Sequence, residues 1–114
     1  DEITISDTTQ VWELVNNSIS TYMITPEDLG FNRVPLKAIQ ASNIQESTQI
    51  LRDVLDGVLG PARNVVLMNA AAALLAANKA TTLIEGVEMA TQSIDSGKAR
   101  QKLGNLVSLS QTLQ

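Results

Sequence analysis

The sequence predicts an α/β fold in which a hairpin of strands joins a sheet and several helices cover it. Residues 9–15 and 19–25 alternate in the manner of strands, and Asn16-Asn17-Ser18 lies between them. From Thr25 onward, helix start signals recur between helix-breaking glycines. The chain has 114 residues, of which 44% are hydrophobic, so it can bury a core.

The hairpin prediction depends on the turn and on the alternation. Asn tolerates the positive φ that a tight hairpin turn requires, which favours a turn at Asn16-Asn17. Trp12 and Tyr22 fall near cross-strand positions, so both are predicted to be packing residues. Ile3 and Ile5 suggest a short extended entry before the first strand.

The first helical signals follow the hairpin directly. Thr25 is a natural N-cap, Pro26 suits a first helical position, and Gly30 ends the single turn. Asn43-Ile44-Gln45-Glu46 is a capping-box pattern. It predicts a helix ending near Gly57 whose apolar stripe consists of Ile44, Ser47, Leu51, Val54 and Val58.

The helix predicted over 61–77 is apolar nearly all round, which is typical of a helix inside a domain. Ala72 and Ala73 are therefore expected to be buried, and Asn69 is expected to lie on a buried face as a structural bridge with hydrogen-bond partners. A capping box at Thr82-Leu83-Ile84-Glu85 predicts the next helix. After a break at Ser96-Gly97, a last helix carries Ala99, Leu103, Leu106 and Val107.

Composition excludes several classes of function. The net charge is −4 and the eight Lys and Arg are scattered, so the electrostatic pattern of a nucleic-acid-binding protein is missing. The sequence contains neither Cys nor His, which removes thiolate nucleophiles, disulfides and the commonest general base and transition-metal ligand. Asp1-Glu2 is the reverse of a basic targeting segment, and the run from Val65 to Ala77 is too short to span a bilayer. The simplest expectation is a cytoplasmic protein.

A series of landmarks runs along the whole chain in one order. They are Asp1-Glu2-Ile3-Thr4, Thr25-Pro26-Glu27-Asp28-Leu29-Gly30, Glu46 with Ile50, Leu51, Leu55 and Gly57, Gly60-Pro61-Ala62-Arg63 with Leu67, Asn69, Ala70 and Ala71, Glu85-Gly86-Val87, and Ile94-Asp95-Ser96-Gly97-Lys98-Ala99. Together these residues resemble one family, the anthranilate phosphoribosyltransferases. Asn17 stands where that family commonly has Gly, which leaves the turn type open.

The resemblance implies that residues 1–114 are the carboxyl-terminal part of the larger α/β domain of the nucleoside phosphorylase/phosphoribosyltransferase fold. It implies a homodimeric enzyme that transfers phosphoribosyl from phosphoribosyl diphosphate to anthranilate in tryptophan biosynthesis. The family's Gly-rich phosphate loop and anthranilate contacts would lie before Asp1, so no catalytic residue is expected in this chain.

Asp1 and Glu2 are the candidate metal ligands. By their residue types alone, two adjacent acidic residues are most simply a solvated pair. The resemblance instead implies that they bind Mg²⁺ associated with the substrate's diphosphate. This is chemically reasonable because Mg²⁺ takes one or two protein carboxylates and completes its shell with water and phosphate oxygens.

The remaining charged residues have simpler interpretations. Arg63 is predicted to be a surface or domain-interface partner, because a cation one turn into a helix is repelled by the helix dipole. Lys98, Arg100 and Lys102 are predicted to form a solvated helix face. Two alternatives stay open: a related pyrimidine nucleoside phosphorylase-like protein, and a non-enzymatic helical interaction module.

Overall fold

The computed structural model describes residues 2–113, which form an antiparallel hairpin, two short 3₁₀ turns and four α-helices. The strands are β1 (Thr9–Val15) and β2 (Ser18–Ile24), and the 3₁₀ turns are Glu27–Leu29 and Leu36–Ile39. The helices are α1 (Ile44–Leu55), α2 (Pro61–Ala76), α3 (Leu83–Asp95) and α4 (Lys98–Thr112). This order confirms the predicted α/β class, whereas the turn at Leu36–Ile39 was not predicted.

The hairpin turn consists of Asn16 and Asn17, both in the left-handed conformation with φ of 50° and 62°. Val15 pairs with Ser18, so the loop has two residues. Two consecutive positive φ angles in a two-residue loop define a type I′ turn, whose twist matches that of the strands. Asn17 therefore adopts a positive φ, which Gly reaches without steric cost and Asn tolerates. Both strands are confirmed, although β2 begins and ends one residue earlier than predicted.

The two faces of the hairpin differ in burial. Tyr22 pairs with Val11, and both pack against the core. Trp12 pairs with Thr21 on the opposite face and is 64% exposed. The packing role is therefore confirmed for Tyr22 and is wrong for Trp12. The reason is the two-residue period of a strand, which turns Trp12 away from the face that Val11 buries.

Both predicted capping boxes are present, in a variant form. The Asn43 Oδ1 accepts a hydrogen bond from the backbone N–H of Glu46 at 2.8 Å, and the Thr82 Oγ1 accepts one from that of Glu85 at 3.1 Å. Each Glu carboxylate reaches the residue before the cap: Glu85 accepts from the hydroxyl and N–H of Thr81 at 2.6 and 2.7 Å. Those hydrogen bonds lower the pKa of the Glu85 carboxyl below its ordinary value. The local sequence signals therefore define the starts of α1 and α3.

The core consists of two clusters that meet at α2. One contains Ile3, Ile5, Ile24, Leu29 and Met68, and the other contains Val54, Leu67, Ala90 and Ile94. The central position predicted for α2 is confirmed, but Ala73 is exposed and Ala72 is only partly buried. Burial on α2 is confined to the faces that meet the two clusters. None of the helices within residues 2–113 is long and apolar enough to cross a membrane.

Helices α2 and α3 approach each other very closely at Gly86. A Cβ on Gly86 would lie 2.8 Å from both the Cα and the carbonyl oxygen of Ala71, closer than such atoms can pack. Two separate landmarks of the sequence, Asn69-Ala70-Ala71 and Glu85-Gly86-Val87, thus have one structural cause. Small residues on both helices allow the backbones to touch.

The outer helices bury less than their apolar patterns suggest. In the stripe of α1, only Val54 is buried, while Ile44 and Leu51 are 80% and 49% exposed. On α4, Leu106 and Val107 are 61% and 47% exposed. Residues 2–113 therefore cover each stripe only in part.

Candidate functional site

The acidic segment at the start of the chain leads into the core. Glu2 is exposed, whereas Ile3 and Ile5 are 5% and 0% exposed. Asp1, the other candidate metal ligand, lies outside the described residues. Residues 2–8 have no regular secondary structure, so the position of Glu2 depends on how the following residues are anchored.

Asn69 of α2 anchors this segment through its side-chain amide. Its Oδ1 accepts a hydrogen bond from the Ile3 N–H at 3.0 Å, and its Nδ2 donates to the Ile3 carbonyl at 2.9 Å. Nδ2 also donates to the carbonyl of Val65 at 2.9 Å, one turn earlier on α2. The prediction that Asn69 is a structural bridge is confirmed. Its partner, the backbone next to the acidic pair, could not be foreseen because 66 residues separate them.

Glu2 and Ile3 line a half-open cleft of about 850 Å³ between the hairpin and the facing ends of α2 and α3. The lining combines apolar and polar side chains, including Val11, Glu13, Tyr22, Ala72, Leu75, Asn78, Thr81 and Leu83. The cleft is formed by residues that are far apart in the sequence. No local pattern in the sequence indicates them, so sequence reasoning missed every lining residue except Glu2.

Tyr22 is a titratable group in the cleft. Burial raises the pKa of its phenol above the ordinary value, and the nearby Glu13 carboxylate raises it further. The phenol therefore stays protonated at neutral pH and can donate a hydrogen bond into the cleft. Among the described residues, the cleft wall therefore combines this neutral phenol with the carboxylates of Glu2 and Glu13.

The carboxylates in the described residues do not by themselves form a metal centre. Within residues 2–113, no group of three or more Asp or Glu is arranged to hold an ion. Glu2 enters no ion pair in that range, and its exposed oxygens are hard donors that suit Mg²⁺. A single anchored carboxylate beside a cleft fits a metal that a substrate brings with most of its own ligands.

A second polar cluster lies elsewhere, where α1, α2, α3 and α4 meet. Arg63 is only 5% exposed, and its Nη1 lies 2.8 Å from Oδ1 of Asp95. The prediction of a surface or domain-interface role for Arg63 is wrong: it is buried within this chain. Asp95 is the last residue of α3, so the carboxylate and the negative end of that helix together offset the unfavourable dipole of α2.

The Arg63–Asp95 contact is a charge–charge interaction more than a regular hydrogen bond. The distance is short, but Nη1 is buried without a regular hydrogen-bond partner among the described residues. At this short distance the two groups still stabilise each other, because opposite charges attract without strict alignment. The Arg63 guanidinium beside Asp95 holds the pKa of that carboxyl below its ordinary value.

The basic residues of α4 are solvated, as predicted. Lys98, Arg100 and Lys102 are all exposed. Arg100 adds one ion pair, with its Nη1 2.6 Å from Oδ1 of Asp56, and both side chains remain largely in solvent. These contacts connect helix ends and involve none of the residues that line the cleft. We therefore assign this cluster to folding rather than to ligand binding.

Comparison with known proteins identifies the class of protein that has this fold and this acidic segment. The family described as "glycosyl transferase family, a/b domain" matches residues 1–100, and the chain belongs to that family. Its relatives include the anthranilate phosphoribosyltransferase of Rhodopseudomonas palustris (strain TIE-1), 49% identical over 110 residues, which are 96% of this chain and 32% of the relative. That of Symbiobacterium thermophilum is 52% identical over 103 residues, 90% of this chain and 30% of the relative.

A solved structure supports the same relationship. The crystal structure of anthranilate phosphoribosyltransferase from Thermus thermophilus matches with a TM-score of 0.73 and 35% sequence identity, over 77% of this chain and 27% of that one. The chain thus spans about a third of the length of the curated relatives it matches. The resemblance seen in the landmarks is confirmed, and the placement in the carboxyl-terminal third stays a prediction.

Proposed function

We propose that this chain is part of an anthranilate phosphoribosyltransferase, which joins the phosphoribosyl group of phosphoribosyl diphosphate to the amine of anthranilate and releases pyrophosphate in tryptophan biosynthesis. The observation that carries the proposal is the 49% identity to an enzyme of that name across nearly the whole chain. The structural match to a second enzyme of that name supports it independently of sequence landmarks.

In this proposal the acidic segment contributes the protein ligands of a Mg²⁺ ion. Asp1 and Glu2 would hold the ion, and a bound Mg²⁺ neutralises the charge that develops on departing pyrophosphate. Two carboxylates without His or Cys bind zinc poorly and are too few to hold Mg²⁺ tightly. The ion would therefore bind together with the diphosphate, beside the cleft that Glu2 lines.

The remaining features of the proposal come from the family resemblance. The intact enzyme would be a cytoplasmic homodimer, and its phosphate loop and anthranilate contacts would come from the part of the enzyme that this chain does not span. The residues described here would contribute the α/β scaffold and the metal-binding segment. No nucleic acid or membrane partner is proposed.

The test is the Mg²⁺ dependence of the full-length protein carrying Asp1→Asn or Glu2→Gln. We expect the Mg²⁺ concentration for half-maximal rate to rise, with the KM for anthranilate much less affected. Asp7→Asn is the matched control, because Asp7 lies in the same segment but pairs with Arg33 at 3.4 Å. A wild-type rate and Mg²⁺ dependence in both variants would show that the acidic pair is only solvated surface.

The acceptor is tested separately. The wild-type full-length protein should produce phosphoribosyl-anthranilate and pyrophosphate when anthranilate is the acceptor. If it shows no turnover with anthranilate but cleaves pyrimidine nucleosides with inorganic phosphate, the alternative nucleoside phosphorylase-like function replaces the proposal. If neither reaction occurs, the result favours the alternative of a non-enzymatic helical interaction module.

A further inference from the structure

We propose that Asn69 is a positioning residue for the acidic segment: its side-chain amide holds the backbone at Ile3 so that Glu2 faces the cleft in a fixed orientation. This inference rests on the proposed function, because it assigns Asn69 a role in the metal site formed with Glu2. It adds to that site a residue that contacts neither metal nor substrate.

The hydrogen bonds of Asn69 reach the two peptide units on either side of Ile3, the residue that follows Glu2. The Ile3 N–H belongs to the peptide unit that also carries the Glu2 carbonyl, so its bond to the Asn69 Oδ1 at 3.0 Å fixes the plane of that peptide. The bond from Nδ2 to the Ile3 carbonyl at 2.9 Å fixes the next peptide. Together the two bonds leave little freedom to the backbone from which the Glu2 side chain extends.

The Asn69 side chain is itself held in place. Its Nδ2 carries two hydrogens, and both are used: one on Ile3 and one on the Val65 carbonyl at 2.9 Å. Val65 and Asn69 lie one turn apart on α2, which belongs to both core clusters. The amide therefore transmits the rigidity of the central helix to a segment without secondary structure of its own.

The rest of the segment has separate anchors, so Asn69 acts locally. Ile5 is fully buried, and its carbonyl accepts a hydrogen bond from the Val34 N–H at 3.1 Å. The Thr4 N–H donates to the hydroxyl of Thr9 at 3.1 Å. Loss of the Asn69 amide would consequently loosen the backbone around Glu2 and the Ile3 N–H, while the buried Ile3 side chain and residues 4 and 5 keep their own contacts.

Asn69→Asp is the informative variant because Asp has nearly the same size as Asn. It keeps an acceptor for the Ile3 N–H but replaces both donated hydrogen bonds with repulsion between oxygens. Asn69→Ser, which is too short to reach Ile3, is the second variant in case Asp impairs folding. Asn64→Ser is the matched control, since Asn64 lies on the same helix and its side chain makes no hydrogen bond within residues 2–113.

The experiment uses the full-length protein and two kinds of measurement. Hydrogen–deuterium exchange at the Ile3 amide directly reports the hydrogen bond from the Ile3 N–H to Asn69. Exchange should become faster in the Asn69 variants but not in Asn64→Ser. Binding of Mn²⁺ in the presence of pyrophosphate, measured by electron paramagnetic resonance, reports the metal site without turnover. We expect it to weaken by about 10-fold, the lower end of the effect of groups that orient metal ligands. Activity should recover at high Mg²⁺ concentration.

The outcomes separate this inference from the proposed function. If Glu2→Gln weakens Mn²⁺ binding while both Asn69 variants expose the Ile3 amide and leave Mn²⁺ binding unchanged, Asn69 is only a structural bridge and the proposed function stands. If Glu2→Gln itself leaves Mn²⁺ binding unchanged, the metal site and the positioning role both fail. A loss of activity in the Asn69 variants that high Mg²⁺ does not restore would also overturn the inference.

Discussion

At the scale of single residues, the Arg63–Asp95 pair shows how a buried charge can be tolerated in this chain. Arg63 lies among helix ends, and Asp95 brings its carboxylate within 2.8 Å while remaining partly in solvent. Gly57 lies beside the pair: a Cβ there would be 3.6 Å from both the Arg63 Nη1 and the Asp95 Oδ1. Gly57, Arg63 and Asp95, which belong to three different landmarks of the sequence, thus lie together at one ion pair.

The pair predicts a pH-dependent stability. Because the pKa of Asp95 is lower in the folded chain than its ordinary value, the stabilisation is complete above the ordinary carboxyl range. It is lost as the pH falls through the lowered folded pKa. Asp95→Asn should therefore lower the melting temperature at pH 7, and the difference from wild type should shrink in acid.

Thermal melts of the full-length protein between neutral and strongly acidic pH measure this difference. Glu88→Gln is the control, because Glu88 is an exposed carboxylate on the same helix that enters no ion pair among the described residues. Equal melting curves for Asp95→Asn and Glu88→Gln at pH 7 would contradict a stabilising role for the ion pair.

At the scale of secondary-structure elements, the close crossing of α2 and α3 at Ala71 and Gly86 has the greatest structural consequence. The two helices carry most of the second core cluster, including Leu67, Ala90 and Ile94. A side chain at Gly86 would meet backbone atoms of Ala71, which cannot rotate away as a flexible side chain would. Hence the helices would have to separate.

Gly86→Ala should destabilise the full-length protein by about 1–3 kcal/mol, the usual cost of overpacking a core. Gly104→Ala is the matched control, since Gly104 lies within α4 and a Cβ there would meet nothing within 4 Å. That change should be neutral or stabilise by up to about 1 kcal/mol, because Ala favours helix more than Gly does. Chemical denaturation measures both, and equal free energies of unfolding would disprove the close packing.

At the scale of the whole molecule, the described residues leave much apolar surface open. On the hairpin, Trp12, Leu14, Ile19 and Met23 are 57–71% exposed. The charged fraction of 18% is also below the average of about 25% for soluble domains, which is typical of a chain whose surface is partly covered by other protein. Together with the match to about a third of longer relatives, this surface supports the proposal that the chain is part of a larger α/β domain.

This view predicts that residues 1–114 alone have no transferase activity. Within residues 2–113 the only candidate ligand group is Glu2, and no metal centre is complete. The measurement is product formation by the purified chain with anthranilate, phosphoribosyl diphosphate and Mg²⁺, with the full-length protein as the positive control. If the purified chain showed turnover, and if Glu2→Gln abolished that turnover, the site would be complete without further residues.

The sequence by itself determined the elements whose signals are local. The type of each strand and helix, the caps at Asn43 and Thr82, and the turn at Asn16-Asn17 follow from side chains that act on their own neighbouring backbone. The family was also readable from the spacing of landmarks. Local hydrogen bonds and φ preferences need no tertiary context, so these predictions agree with the structure.

Only the tertiary structure decided which apolar faces are buried and which distant residues meet. The apolar stripes of α1 and α4 do not show whether another element covers them, and Ala73 of α2 was misjudged for the same reason. Strand alternation places Trp12 opposite Val11, but only the packing shows that the Val11 face is the buried one. Asn69 with Ile3, and Arg63 with Asp95, are partners across 66 and 32 positions. Such contacts depend on how the helices pack together, which short-range patterns in the chain do not encode.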